Sequence, residues 1–381
     1  MVMILVNPAW AQPYLPARAD LVLERLPVSL GATARELADL HRRWRAAPGD
    51  EAAALALVER EIALGRGESD PRYYGQAEGV LQILWHDRQP SARAWVLRAI
   101  VRQARHDFAA AMADLEVALA TDPSSAQAWL TRAAIERVLG DYAAATRSCG
   151  HLVRLTDTLV FSTCLASVRA LDGHAAAAYA LLERALATTP SSPAAVQQWA
   201  LTTLAEIAVS RDRADAAERD FHTALALPVR SVYLLLAYAD FLLDHDRAAA
   251  VVRLLANERR VDGALLRLAL AARACADPRA DDYRAELAAR IAAARQRGDT
   301  LHQGDAARYA LAFEQNAVAA LALALANWQQ QREPRDARIV LEAARARGQP
   351  VAARPVVDFL RTRGTEDVAL ARLLPAIGAH D

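Results

Sequence analysis

SARAWVLRAIVRQARHDFAAAMADLEVALATDP, residues 91–123, is followed after one serine by SAQAWLTRAAIERVLGDYAAATRSCGHLVRL, residues 125–155. Overlaying the two pairs Trp95 with Trp129, Ala99 with Ala133, Asp107 with Asp141, Phe108 with Tyr142 and Ala111 with Ala145, each at a separation of 34 residues. One unit is therefore written twice, as two helices joined by a short turn. Ala99 and Ala111 are small enough to let two antiparallel helices approach closely, and Trp95, Leu115 and Leu119 fill the space towards the next pair. Asp107 and Asp141 stand where a carboxylate can accept the orphan N–H groups of a helix start, and Ser124 and Ser125 can do the same after Pro123. A single pair cannot hide its apolar face, so neighbours must stack on both sides.

This pattern resembles the tetratricopeptide repeat (TPR), with Trp95, Ala99, Phe108, Ala111, Leu115, Ala118 and Pro123 at its signature positions. The resemblance implies an all-α fold, a right-handed α-solenoid of stacked helical hairpins, and a non-catalytic scaffold that binds a protein or peptide. It also implies that helix A of each repeat lines a concave groove. The groove candidates are Arg93, Val96, Ile100 and Gln103 in the first copy, Gln127, Leu130, Thr131, Ala134 and Arg137 in the second, and Val160, Thr163 and Ser167 in the third. Such a mixed lining suits a helix or an extended peptide. The clamp by which some TPR domains grip a chaperone's C-terminal carboxylates is missing, because its places hold Val96, Ile100 and Thr131. The whole chain is further similar to uncharacterised exported TPR proteins of Gram-negative bacteria, through Asp70-Pro71-Arg72-Tyr73-Tyr74 and Gln331-Arg332-Glu333-Pro334.

At 381 residues the chain exceeds one compact core, a limit that a solenoid escapes because each repeat touches only its neighbours. All 45 basic residues are arginine and 45 acids balance them. Without lysine there is no P-loop lysine, Schiff base or lysine general base. Zero net charge supplies no overall field for nucleic acid or an anionic membrane, so neither is expected as a partner. The longest apolar run, near 317–326, falls short of the ~20 residues of a membrane span. Zinc motifs and the nucleophile elbow are missing, no cofactor or metal is expected, and His106, His174 and His245 sit at inter-helix turns.

Residues 1–11 read as the remnant of a signal peptide, with Ala9-Trp10-Ala11 in the small-x-small form of a cleavage site before Gln12. Export, periplasmic in a Gram-negative cell, is the preferred reading and a cytoplasmic protein the alternative. An extended lead-in is expected over 12–32, irregular helical repeats over 33–90, core repeats over 91–256, and degenerate repeats with a C-terminal cap over 257–381. The third copy keeps Ala166, Ala178, Leu182, Ala185 and Pro190; the fourth, after an insertion at 191–197, keeps Leu201, Ala205, Ala217, Phe221, Ala224 and Pro228. Roughly eight pairs result, leaving no block large enough for a catalytic domain. Cys149 and Cys164 can either pair across adjacent repeats or lie buried as thiols, while Cys275 stays single. A competing reading places a small-ligand or catalytic pocket near 299–316, where His302, Asp305 and Arg308 would have to converge.

Overall fold

The computed structural model describes Arg18 and residues 28–87, 90–298 and 302–374. The proposed signal-peptide remnant and most of the extended lead-in lie outside them. Among the described residues all regular structure is helical. A leading helix, α1 (Val28–Ala46), begins inside the stretch expected to be extended. Consecutive pairs follow: α2 (Glu51–Glu68) with α3 (Pro71–Asp87), α4 (Ala92–Ala104) with α5 (Phe108–Thr121), α6 (Ala126–Val138) with α7 (Tyr142–His151), and α8 (Thr158–Arg169) with α9 (Ala175–Thr188). Next come α10 (Ala194–Ser210) with α11 (Ala214–Leu225), α12 (Val232–Asp244) with α13 (Ala248–Leu254), and α14 (Asp262–Ala274) with α15 (Ala280–Gln296). The last are α16 (Gln303–Ala312) with α17 (Ala317–Gln330), α18 (Pro334–Arg347) with α19 (Arg354–Arg363), and a short α20 (Val368–Leu373).

Of the expected caps, Asp107, Asp141 and Ser125 are in place, whereas the Ser124 hydroxyl donates to Asp122 instead. The side chains of Ser91, Asp107, Ser125, Asp141 and Asp157 each accept a backbone N–H three residues on. Within each pair small residues meet: Ala99, Ala111, Ala145, Ala166, Ala205, Ala217 and Ala239 are fully buried. The first helix of each pair, helix A, also packs on the A helix of the next, in one run from α2 to α18. Turns from A to the second helix, helix B, need one left-handed residue. Gly140 (φ +79) and Gly173 (φ +70) supply it without strain, but His106, Asp212, Asp246 and Ala276 hold the same conformation.

Cys149 and Cys164 form a disulfide between α7 and α8, with Cα atoms 5.7 Å apart, and Cys275 is a free, exposed thiol. Around the disulfide, Tyr142 and Leu152 complete a small buried cluster.

The stacking does not run out as an open wall. It winds so tightly that successive turns of the superhelix touch. α12 meets α2, five pairs earlier, where Arg230 reaches Glu68. The N-terminal end of α18 lands on the turn after α6, six pairs earlier: the Arg332 amide donates to the Val138 carbonyl at 2.7 Å, and Arg137 pairs with Glu333 at 2.8 Å. Phe359 packs edge-on against Tyr142 and Trp328, over Gly140. The Thr365 hydroxyl donates to the Leu171 carbonyl, Arg338 grips Asp244 through two bonds of 2.6 and 2.8 Å, and Arg372 reaches Asp212. The earlier-turn positions Val138, Leu171 and Asp212 lie at A-to-B turns or just before them, so the C-terminal pairs ride on one edge of the preceding turn, while Arg338 bridges to Asp244 only three pairs earlier. The inner faces of the A helices thereby surround the superhelix axis, a lumen in which side chains of α6, α12, α16 and α18 act on one another.

Candidate functional site

The sequence-derived groove residues divide into two groups. Val96, Ile100, Thr131 and Thr163 are buried, and a partner cannot touch them as the structure stands. Val96 and Ile100 join the apolar cluster of α2, because α4 packs directly on that preceding A helix. Thr131 and Thr163 turn their hydroxyls back onto the Gln127 and Leu159 carbonyls, four residues earlier. Arg93 and Gln127 are exposed, while Gln103, Leu130, Ala134, Arg137, Val160 and Ser167 are partly open. Arg93 pairs with Glu59 and Arg137 with Glu333, so neither guanidinium is idle.

His302, Asp305 and Arg308 do not converge on a pocket of their own. They stand on or beside α16 as part of the lumen wall. Arg308 reaches Asp240 of α12 at 3.1 Å, Asp305 lies 3.9 Å from Arg267 of α14, and His302 is exposed.

The lumen is a charged interior assembled from distant turns. Burial pushes the Asp240 carboxyl up, but Arg267 and Arg308 together outweigh that and hold it down to about 2. Around Glu333, burial is again outweighed: Arg335 and Arg137 bring its carboxyl below the usual range. Arg335 keeps 59% of its side chain open, yet besides its neighbours Glu333 and Asp336 it feels Tyr233 of α12 and Asp305 of α16 from other parts of the wall. Such a group is solvated and surrounded at once, as expected inside a water-filled bore. Asp336 is buried, accepts from Asn327 at 2.8 Å, and is pushed up to about 7 by burial.

Sequence reasoning missed two open aromatics on this wall. The candidate positions 93 and 100 recur 106 residues later as Trp199 and Glu206, and 140 residues later as Tyr233 and Asp240. The insertion at 191–197 shifts the register, and the carry-over stopped before it. On α10, Trp199 and Glu206 are seven residues apart and share a face. Trp199 is 37% and Tyr233 49% exposed, although both are large aromatics. The Tyr233 hydroxyl donates to Glu206 at 2.5 Å, and burial pushes that carboxyl up to about 6.

Two further features lie off the lumen. Between α1 and α2, Glu61 is fully buried with no hydrogen-bond donor among the described residues on either oxygen, and the His41 imidazole, whose protonation burial disfavours, lies 3.4 Å away. Burial alone pushes this carboxyl up to about 7. In the α6–α7 hairpin, Trp129 stacks on His151 at 3.7 Å beside Arg132, Glu136 and Ser148. Among the described residues no group of three or more His, Cys, Asp or Glu is arranged to hold a metal ion, and no helix is long and apolar enough to cross a membrane.

No protein-family model and no curated protein matches this chain. Solved structures with a comparable course include the APC/C hetero-tetramer Cut9–Hcn1 (13% identity over 91% of this chain and 52% of that one, TM-score 0.43). Yeast Tom70 (11% identity, 91% and 86%, TM-score 0.44) and the human IFIT1 dimer with PPP-AAAA (13% identity, 87% and 68%, TM-score 0.44) are similar to the same degree. The chain spans about half the length of the first of these. All three scores lie below one half, so the fold assignment rests on the helix pairing of this chain itself.

Proposed function

We propose that this chain is a non-catalytic TPR-type scaffold that holds an extended segment of another protein along the inner faces of its A helices. The observation that carries this reading is the lumen stripe itself: two half-exposed aromatics and a run of charged side chains on α10, α12 and α18, turned towards the superhelix axis. A packed core would bury such aromatics, and a solvated outer face would not enclose such charges. The buried disulfide supports an oxidising compartment and hence the resemblance to exported bacterial proteins. The balanced charge supports a polypeptide over a nucleic acid, whose capture would rest on unpaired basic groups and weaken steeply with salt.

Panning the intact protein against a random library of extended peptides, followed by photo-crosslinking of the enriched ones, tests the reading. Crosslinks on the inner faces of α6, α10 and α12 are expected. Crosslinks confined to the outer helices α5, α7, α9 and α11, or no enrichment, would refute it.

A further inference from the structure

Three carboxylates stand on the lumen face of α10 and α12: Glu206, Asp240 and Asp244. Two of them are answered by guanidinium groups from later repeats of the same chain. Asp240 takes Arg267 and Arg308, and Asp244 takes Arg338 through two bonds. Glu206 occupies the register position of Asp240 one repeat earlier, and among the described residues no guanidinium lies within ion-pair distance of it. Its one hydrogen-bond donor is the Tyr233 phenol. The charged groups that act on it from across the lumen are Arg137, Glu333 and Arg335, and both arginines are already bonded to Glu333.

Elsewhere the molecule shows what such a set holds. Between α3, α4 and α5, the Arg98 guanidinium lies 4.0 Å from the Trp85 ring and 4.4 Å from the Trp95 ring, and bonds to Asp114 at 2.6 Å. Two aromatic rings and a carboxylate there clasp one cation. Tyr233 and Glu206, in contact at 2.5 Å, and Trp199, two turns before Glu206 on the same face of α10, supply the same three kinds of group without the cation. Both rings are open, and the carboxylate is desolvated enough to be held near pH 6.

We propose that Trp199, Tyr233 and Glu206 form a seat for one arginine side chain of the polypeptide held in the lumen, the guanidinium bonding Glu206 and lying on the aromatic rings. The seat rests on the scaffold reading above and adds the chemistry its partner must carry. Losing the charged hydrogen bond should weaken binding about tenfold or more, and losing a ring contact about 2- to 30-fold. Because a cation needs the ionised form of Glu206, affinity should also fall as pH drops through about 6.

The experiment is calorimetric titration of the full chain with the blocked peptide Gly-Gly-Arg-Gly-Gly, beside its citrulline counterpart, which keeps the shape and lacks the charge. The arginine peptide should bind at pH 7.5 at least tenfold more tightly than the citrulline peptide. That preference should vanish in Glu206→Gln, shrink in Trp199→Ala, and weaken about tenfold at pH 5, with helicity unchanged by circular dichroism. Equal binding of both peptides, no binding of either, or an arginine preference that survives Glu206→Gln would overturn the seat. Arginine amide binding as tightly as the peptide would overturn the assignment to a polypeptide. Library peptides that crosslink inside the lumen without arginine, and bind Glu206→Gln equally well, would sink the seat and leave the scaffold standing. An absence of lumen crosslinks would sink both.

Discussion

Gly140→Ala places a methyl group where two turns of the superhelix meet. Gly140 sits in the left-handed region at φ +79, a conformation that costs an L-residue about 1–2 kcal/mol. The new Cβ would also lie 2.7 and 2.8 Å from Cζ and Cε2 of Phe359, and 3.3 Å from Cδ of Arg332. Phe359 cannot swing away freely, because Tyr142 and Trp328 hold it edge-on with ring centres 6.0 and 5.3 Å distant. Forcing it adds about 1–3 kcal/mol of overpacking, for a total of about 2–5 kcal/mol. In a Phe359→Ala background the two closest contacts disappear, leaving the backbone cost of about 1–2 kcal/mol and the looser Arg332 contact. Urea unfolding of the four proteins, followed by far-UV circular dichroism under non-reducing conditions, should therefore show a coupling of about 1–3 kcal/mol. Equal costs of Gly140→Ala in both backgrounds, within about 0.5 kcal/mol, would mean that Phe359 does not lie over this turn in solution.

Four other outcomes follow from the same structure. Cys149→Ala/Cys164→Ala, which opens a crosslink spanning 15 residues, should cost about 3 kcal/mol, and added reductant should destabilise the native chain comparably while leaving the variant unmoved. The Glu61 carboxyl is raised in the folded state, so its stabilising contribution is complete below its ordinary value of 4.5 and is lost as pH rises through about 7. Glu61→Gln should hence gain about 3 kcal/mol over the parent at pH 8.5 and little at pH 4, and a gain independent of pH would contradict the assignment. Ala276→Gly relieves a left-handed alanine (φ 53) in an exposed turn and should raise the unfolding midpoint by the equivalent of about 1 kcal/mol. Charge reversal at Arg93 and Arg137 should weaken peptide capture with helicity unchanged, the Arg137 change acting through repulsion from Glu333; unaltered capture would remove these residues from the site.

How much of this was legible in the sequence depends on the range of the interaction. The helix pairs, their caps and the small residues between them are local, and the 34-residue spacing displays them directly. The Cys149–Cys164 pair was visible as a geometric option, since one residue ends a B helix and the other lies in the next A helix. Closure of the superhelix was not legible. It follows from small rotations summed over five or six pairs, and no periodicity links Val138 with Arg332 or Leu171 with Thr365. Val96 and Ile100 were misplaced for a related reason: the A helices pack closely enough to cover those positions. Trp199 and Glu206 could have been found by carrying positions 93 and 100 across the insertion, which the register of Leu201 and Ala205 already measured.

Closure of the lumen can be tested most directly by placing spin labels at Asp212→Cys and Arg372→Cys in a Cys275→Ser background. These exposed side chains, 160 residues apart in sequence, meet at 3.1 Å across two turns. A single short, narrow distance is expected, unchanged when the protein is diluted. A long, broad distribution, as an open solenoid would give, would contradict the enclosed lumen and the site built on its wall.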